Sequence, residues 1–219
     1  MARAKTPAPY HHGNLREALI EAAVALIGEV GPRAFTLREA ARRAGVSHNA
    51  PYRHFASRDE LLGAVAAEGF ERLAAAMRKA MTPGKSPRER LELCGSGYVE
   101  FALRWPNHLL VMFDQPSDSG QGNGRNHPIG EDAFRVLLDC IVEAQRAGNL
   151  PPGDPLPLAW TAWSLVHGIA KLATGGNLPL SGRATVAFAR TAARALLDGL
   201  EKTGGPGKAG SQEPGTGKG

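Results

Sequence analysis

Along most of this chain apolar residues return every three or four positions, the repeat of an α-helix with one face turned inward. Leu15, Ala18, Leu19, Ala22, Leu26 and Val30 make such a face, and Asn14 with Glu17 caps a first helix running to about Val30. Thr36 with Glu39 is a second capping box, opening a short helix whose Leu37, Ala40, Ala41 and Ala44 share one side. Gly45 follows as its left-handed C-terminal cap, because a residue without Cβ meets no steric penalty there. Val46 then turns into the core. Ser47 is placed to cap a third helix over about residues 48–55, in which Pro51 forfeits at most one internal hydrogen bond.

Ser57 with Glu60 reads as another capping box, restarting the chain as a long helix to about Met81, roughly 36 Å at about 1.5 Å per residue. Ser86-Pro87-Arg88-Glu89 joins a box to proline at the first helical position, so a helix runs from there through Leu93, Tyr98 and Phe101 to about Arg104. Trp105-Pro106 forces a break and a short helix near 107–113. Residues 115–130 are polar and Gly-rich and read as a mobile loop. Helices are predicted again at about 131–148, 155–175 and 182–202. The tail 203–219 holds seven glycines in seventeen residues and no aromatic, a composition that stays disordered. The expected fold is all-α. A flexible basic arm (1–12) precedes a three-helix head with a helix-turn-helix (13–57), a helical-bundle ligand-binding and dimerisation domain (58–202) and the tail. No internal repeat is visible.

The stretch with most chemistry is TLREAARRAGVSHNAPYRHFASRDE, residues 36–60. Two short helices joined by a Gly-containing turn, the second basic and rich in hydrogen-bonding side chains, are how a helix-turn-helix enters the DNA major groove. Arginines 38, 42, 43, 53 and 58 stand against Glu39 and Asp59, and they suit phosphate neutralisation with counterion release. The whole chain agrees. Residues 1–60 carry nine Lys/Arg and six Asp/Glu, so +3 of the chain's +5 sits in the head. That concentration suits a nucleic-acid partner.

Other classes find less support. Cys94 and Cys140 lack C-x-x-C spacing and fit a reducing cytoplasm better than a disulfide scaffold. MARAKTPAPY lacks a signal peptide's apolar core, so a cytoplasmic protein is expected. LPLAWTAWSLVHGIAKLAT, residues 156–174, approaches spanning length, but Pro157, His167 and Lys171 point to a helix buried inside an oligomer rather than in a membrane. His11-His12 has no third ligand at suitable spacing, so no metal is expected. An enzyme using His167 with Cys140 or Asp139 has no nucleophile motif, metal spacing or phosphate loop behind it. Neither enzymatic activity nor a cofactor is expected.

The 36–60 segment, with YHHGNLREALIEAAVALIGEVG before it and Y-R-H-F followed by S-R-D-E-L-L at its end, resembles the DNA-binding head of the TetR family of bacterial transcriptional regulators. The likeness covers about the first 65 residues. W-S-L-V-H-G at 163–168 resembles the Trp-His-Gly signature of one group of TetR C-terminal domains. The resemblance implies a DNA-binding transcriptional regulator, a repressor released from a palindromic operator by a small molecule. It gives Arg38 a phosphate or a guanine edge. Ser47, Tyr52 and His54 would hold phosphates, and His48, Asn49 and Arg53 would point toward base edges. Arg58 would clamp a further phosphate at a helix N-terminus. Two bland readings stand beside these: His54 as a packed core residue, and Tyr52 with its ring against the head.

The body supplies two more expectations. Arg183, Arg190, Arg194, Asp198 and Glu201 lie on one stripe of the last helix, and Val186, Phe188, Ala192, Ala193, Leu196, Leu197 and Leu200 cover the rest. So wide an apolar surface calls for a partner beyond its own domain. The family resemblance implies a homodimer through the helices near 155–175 and 182–202, the alternative being two central helices of a monomer. An effector pocket has candidate linings in Tyr98, Phe101, Trp105, Leu109, Met112, Phe113, Trp160, Trp163 and His167, with Trp160, Trp163, His167 and Lys171 on one helix face. For each aromatic the alternative is ordinary core. A body that docks another protein and takes no small effector is the remaining reading.

Overall fold

The computed structural model describes residues 15–114 and 128–204, and among them the chain is helical without a strand. Eight α-helices follow in order: α1 (Leu15–Val30), α2 (Leu37–Arg43), α3 (Arg58–Met81), α4 (Pro87–Arg104), α5 (Pro106–Asp114), α6 (Pro128–Arg146), α7 (Pro155–Thr174) and α8 (Arg183–Gly204). A single 3₁₀ turn, Ala50–Arg53, lies between α2 and α3. The arm at 1–12, the Asn14 cap, most of the 115–130 loop and the tail beyond 204 lie outside the described residues.

The helix starts follow from local hydrogen bonding. Thr36 Oγ1 accepts from the Glu39 amide at 3.2 Å while Glu39 Oε2 accepts from the Thr36 amide at 2.7 Å, a complete reciprocal box. The other two are variants of it. Ser57 Oγ accepts from the Glu60 amide, but Glu60 reaches back one residue further, to the Ala56 amide. Ser86 and Glu89 repeat this with the Lys85 amide. Pro87 occupies the first position of α4, where a missing N–H costs nothing.

Two cores are stacked along α3. The head closes around Leu19, Ala23, Ile27, Phe35, Ala40 and Phe55, joined by Leu61, Leu62 and Val65 from the first turns of α3. The body closes around Phe70, Leu73 and Met77 from the rest of α3 with residues of α4 to α8. The predicted head boundary at 57 therefore falls short of the head's core, because α3 belongs to both units. Helix α5 joins them a second time. Val111 is buried in the head core and Leu109 and Met112 in the body core. Asn107 Nδ2 donates to the Val24 carbonyl of α1 at 3.1 Å. That approach needs Gly28, where a Cβ would stand 2.5 Å from Asn107 Nδ2.

Several expectations are corrected. Val30, expected to face inward, is 53% exposed at the end of α1. Helix α6 begins three residues before the predicted 131, and α8 runs through 203 and 204, into the predicted tail. The charged stripe of α8 packs in part against α4. Arg190 and Arg194 reach the Glu92 carboxylate of α4 at 3.4 and 3.0 Å, and Asp198 pairs with Arg88. Glu92 is only 4% exposed, so this cluster fixes α8 onto α4. A buried carboxylate is tolerated when such partners surround it.

His108 of α5 is 3% exposed, with Glu68 Oε2 of α3 3.8 Å from its Nε2. Burial is the largest influence on its pKa and lowers it from 6.5, with Glu68 opposing. A lowered folded value means that the unfolded chain takes up the proton first as pH falls. His108 thus costs no stability above about pH 6.5, and the protein loses stability as pH drops from there toward the folded value. The expected result for His108→Phe is a flatter dependence of thermal midpoint on pH in that window. An unchanged slope would refute it.

Candidate nucleic-acid interface and sensor cavity

The reader segment is built from the turn outward. Helix α2 stops at Ala44, Gly45 takes φ +71°, and the Val46 amide closes on the Ala41 carbonyl at 3.0 Å. The Ala50 amide bonds to the Ser47 carbonyl, and the His54 and Phe55 amides both bond to the Pro51 carbonyl at 2.9 Å. The predicted 48–55 helix is thereby corrected to a one-turn 3₁₀ element with Asn49 before it and no side-chain cap, so Ser47 does not cap it through its hydroxyl. Pro51 supplies the cause. It has no N–H for an α-helical bond and disfavours helical geometry at the residue before it.

Pro51 and Phe55 are buried, the latter 2% exposed beneath the Arg16 guanidinium at 5.6 Å. With these two anchoring the segment from below, Ser47, His48, Asn49, Tyr52, Arg53 and His54 are all exposed, Tyr52 at 51%. His54 is therefore not a core residue. Arg38 is exposed in the first turn of α2. Arg58 differs. Its guanidinium donates to the Arg33 carbonyl at 2.9 Å and to Asp59 at 3.0 Å, holding the α1–α2 link against α3. Arg43 is likewise engaged, with Glu29 at 2.6 Å, and that bond holds the Glu29 carboxyl below its usual range.

In the body a small pocket, partly open to solvent, lies between α4, α6, α7 and α8, with Met77 of α3 at its edge. Its walls are almost wholly apolar, among them Leu91, Cys94, Leu137, Val166 and Leu197. Of the candidate effector residues, Tyr98 and Trp163 line it. Phe101, Trp105, Leu109, Met112, Phe113 and His167 do not. Phe101 and Leu109 are fully buried core, and Trp105 stacks on Phe101 under the Arg72 and Arg104 guanidinia. Trp160 is corrected outright: it is 47% exposed and packs on Phe134 of α6 at 4.6 Å. Trp160 shares a helix face with Trp163, yet only Trp163 also meets Tyr98 and lines the cavity.

An aromatic chain leads from this cavity to α5. Tyr98 packs edge-on against Trp163 at 5.0 Å, and its hydroxyl lies 2.7 Å from His167 Nδ1. Burial pushes the Tyr98 phenol far above its ordinary pKa, so it stays protonated and is the donor when the imidazole carries its proton on Nε2. Phe113 of α5 meets His167 edge-on at 4.6 Å. The sequence did not point to Cys94, Gly95, Leu137, Ala162 or Leu197 as cavity walls. These residues resemble any other core positions until the helices are assembled.

A head with its own buried core and an exposed polar reader, joined by one continuous helix to an all-helical body, defines a helix-turn-helix regulator. Residues 19–65 match the family of bacterial regulatory proteins described as tetR, and residues 91–196 match the tetracyclin repressor-like C-terminal domain. The chain belongs to the TetR family of DNA-binding transcriptional regulators. A solved protein of unknown function from Rhodococcus sp. RHA1 is 35% identical, with a TM-score of 0.74, over 89% of this chain and 100% of that one. A transcriptional repressor of Mycobacterium tuberculosis is 44% identical over 48 residues, 22% of this chain and 26% of that protein's length. The regulator FadR from Bacillus subtilis, solved with stearoyl-CoA, shares the fold at 17% identity and a TM-score of 0.67, over 84% of this chain and 98% of that one. No described helix is long and apolar enough to cross a membrane.

Proposed function

We propose that the protein is a homodimeric repressor that binds a palindromic operator and leaves it when a small apolar effector enters the body. The observation that carries the DNA half is the exposure of Ser47, His48, Asn49, Tyr52, Arg53 and His54 above the buried Pro51 and Phe55. In this reading Asn49 pairs with adenine and Arg53 with guanine, each worth about 1–3 kcal/mol of discrimination. His48 faces a neighbouring base edge, while Ser47, Tyr52, His54 and Arg38 hold phosphates. Arg58 is assigned to structure first, because its guanidinium already serves Arg33 and Asp59.

Dimerisation is supported by the outward faces of α7 and α8, where Leu156, Trp160, Leu172 and Phe188 are between 40% and 48% exposed. Pairing there places two readers about one DNA turn apart, ~34–36 Å. Repression follows the Mycobacterium tuberculosis relative's name, and the likeness to that relative is confined to the head. The effector half rests on the apolar cavity and its aromatic chain. A ligand pressing on Tyr98 moves His167, then Phe113, then α5, whose Asn107 and Val111 are seated in the head. Such a ligand acts only through its preference for the state with misaligned heads.

Selection from a random DNA library by the purified full chain tests the reading. An inverted repeat with half-sites one turn apart is expected, and failure to enrich any symmetric sequence at physiological salt would sink it. Two variants then separate the roles. Arg53→Ala should relax base preference at one position by about 1–3 kcal/mol, whereas Arg38→Ala should weaken all sequences alike and reduce the salt slope by about one. A uniform effect from Arg53→Ala would move that residue to the phosphates.

A further inference from the structure

We propose that Arg16 of α1 is a further phosphate-binding residue of the DNA interface, on a helix outside the helix-turn-helix and resting on the DNA reading above. Arg16 lies in the first turn of α1, three and four residues before Leu19 and Ile20, which are buried in the head core. Residues at that spacing share a helix face, so Arg16 stands at the rim of the apolar stripe rather than on the far side of α1. There α1 packs against the reader turn. The Arg16 guanidinium carbon lies 5.6 Å from the centre of the Phe55 ring, on which the reader stands, one residue from the exposed His54. Arg16 is itself exposed. Its aliphatic stem follows the apolar rim while its charge stays in water.

Charge pairing separates Arg16 from other arginines of the head. Arg43 is paired with Glu29 and Arg58 with Asp59. The Glu39 and Glu60 carboxylates are taken by the backbone amides of Thr36 and Ala56. Among the described residues no carboxylate pairs with Arg16. The adjacent Glu17 does not share its helix face. A ring holds the plane of a guanidinium without neutralising it, so the N–H donors and the full charge remain for an acceptor from outside the chain. A phosphate of the duplex is the acceptor that fits. The reader brings this edge of the head to the DNA, and arginine's planar fork matches a phosphate. As a prop for the head alone, an exposed cation–π contact contributes little. A backbone contact adds affinity and orientation on every sequence and reads no base. Phe55 then acts on both sides, anchoring the reader from within and aiming Arg16 from without.

The test is fluorescence anisotropy of the full chain with a labelled duplex of scrambled sequence, titrated at salt from about 50 to about 200 mM. Such a duplex needs no operator, because phosphate contacts are independent of sequence. Arg16→Gln is expected to lower the slope of log affinity against log salt by about 0.9 for each head bound. Over that range the wild type then loses about 3.5-fold more affinity per head than the variant. Arg16→Lys returns the charge and should restore the slope. The melting midpoints of all three should agree, since the residue is exposed. Arg104→Gln is the control: that guanidinium also lies over a ring, Trp105 at 4.8 Å, but on the body, and its loss should leave the slope alone. A folded Arg16→Gln with the wild-type slope would overturn the contact. So would a lowered midpoint with an unchanged slope, which would make Arg16 a prop of the head. Both results leave the operator selection standing. A wild type that binds no duplex at the lowest salt would bring down the reader and Arg16 together.

Discussion

Phe55→Ala is expected to unfold the head while leaving the body helical. The ring is 2% exposed beneath the reader and shares the head's core with Leu19, Ile27, Phe35 and Leu61. Truncating a buried phenylalanine costs about 3–5 kcal/mol, from lost transfer energy and from a cavity that the surroundings fill only in part. That is a large share of a whole domain's stability of about 5–15 kcal/mol. The loss should fall unevenly, because Phe55 packs in the head core and the body has its own. Amide exchange should quicken across α1, α2 and the first turns of α3, with the body helices protected as before, and specific DNA binding should vanish. Tyr52→Ala is the matching control three residues away. Its ring is 51% exposed, so stability should change by no more than about 0.5 kcal/mol while DNA affinity falls. If Phe55→Ala keeps its melting curve and its operator affinity, the segment is not anchored as described.

The contrast between these two residues also shows how far the sequence could be read. Helix starts were legible because capping is short-range: Thr36, Ser57 and Ser86 each take an amide three residues ahead, whatever the rest of the chain does. The apolar repeat placed α3 at its observed limits for the same reason. The reader was harder. Its polar residues are exposed as read, but Val46, expected in the core, is only half-buried, and Pro51 turned the expected helix into a single 3₁₀ turn, since the repeat alone does not weigh a missing N–H.

Contacts distant in sequence were not legible at all. Arg190 and Arg194 read only as part of a charged stripe, and nothing in the repeat pointed to Glu92, about a hundred positions earlier and buried against them. Trp160 and Trp163 share a wide apolar arc of α7 and both meet Phe134 of α6, yet only Trp163 also meets Tyr98 of α4 and lines the cavity. Asn107 gave no sign of its bond to the Val24 carbonyl, because that bond depends on how closely α5 approaches Gly28. Periodicity tells which side of a helix is greasy. The neighbours tell which part of that side is core, cavity or interface.

Glycines in α4 carry the same lesson into a measurable difference. Gly95 and Gly97 sit two residues apart in one helix, so alanine at either gains roughly the same helix propensity, about 1 kcal/mol. Their surroundings differ sharply. A Cβ at Gly97 would stand 2.8 Å from Ala80 Cβ and 2.9 Å from both the Ala76 carbonyl oxygen and Met77 Cα of α3. Two of those three atoms are backbone of a packed helix and cannot swing away, so α3 and α4 must part. Overpacking of this kind costs about 1–3 kcal/mol, sometimes more. It should exceed the propensity gain and lower the thermal midpoint. A Cβ at Gly95 would meet Val166 Cγ1 at 3.0 Å and otherwise only Ala193 Cβ at 4.0 Å. The valine methyl can yield by a rotamer change into the adjacent cavity, so Gly95→Ala should be neutral or mildly stabilising while narrowing that cavity. Calorimetry on the pair decides. Gly97→Ala should melt well below Gly95→Ala, and equal midpoints would mean that α3 and α4 do not approach as closely at Gly97 as their backbones imply.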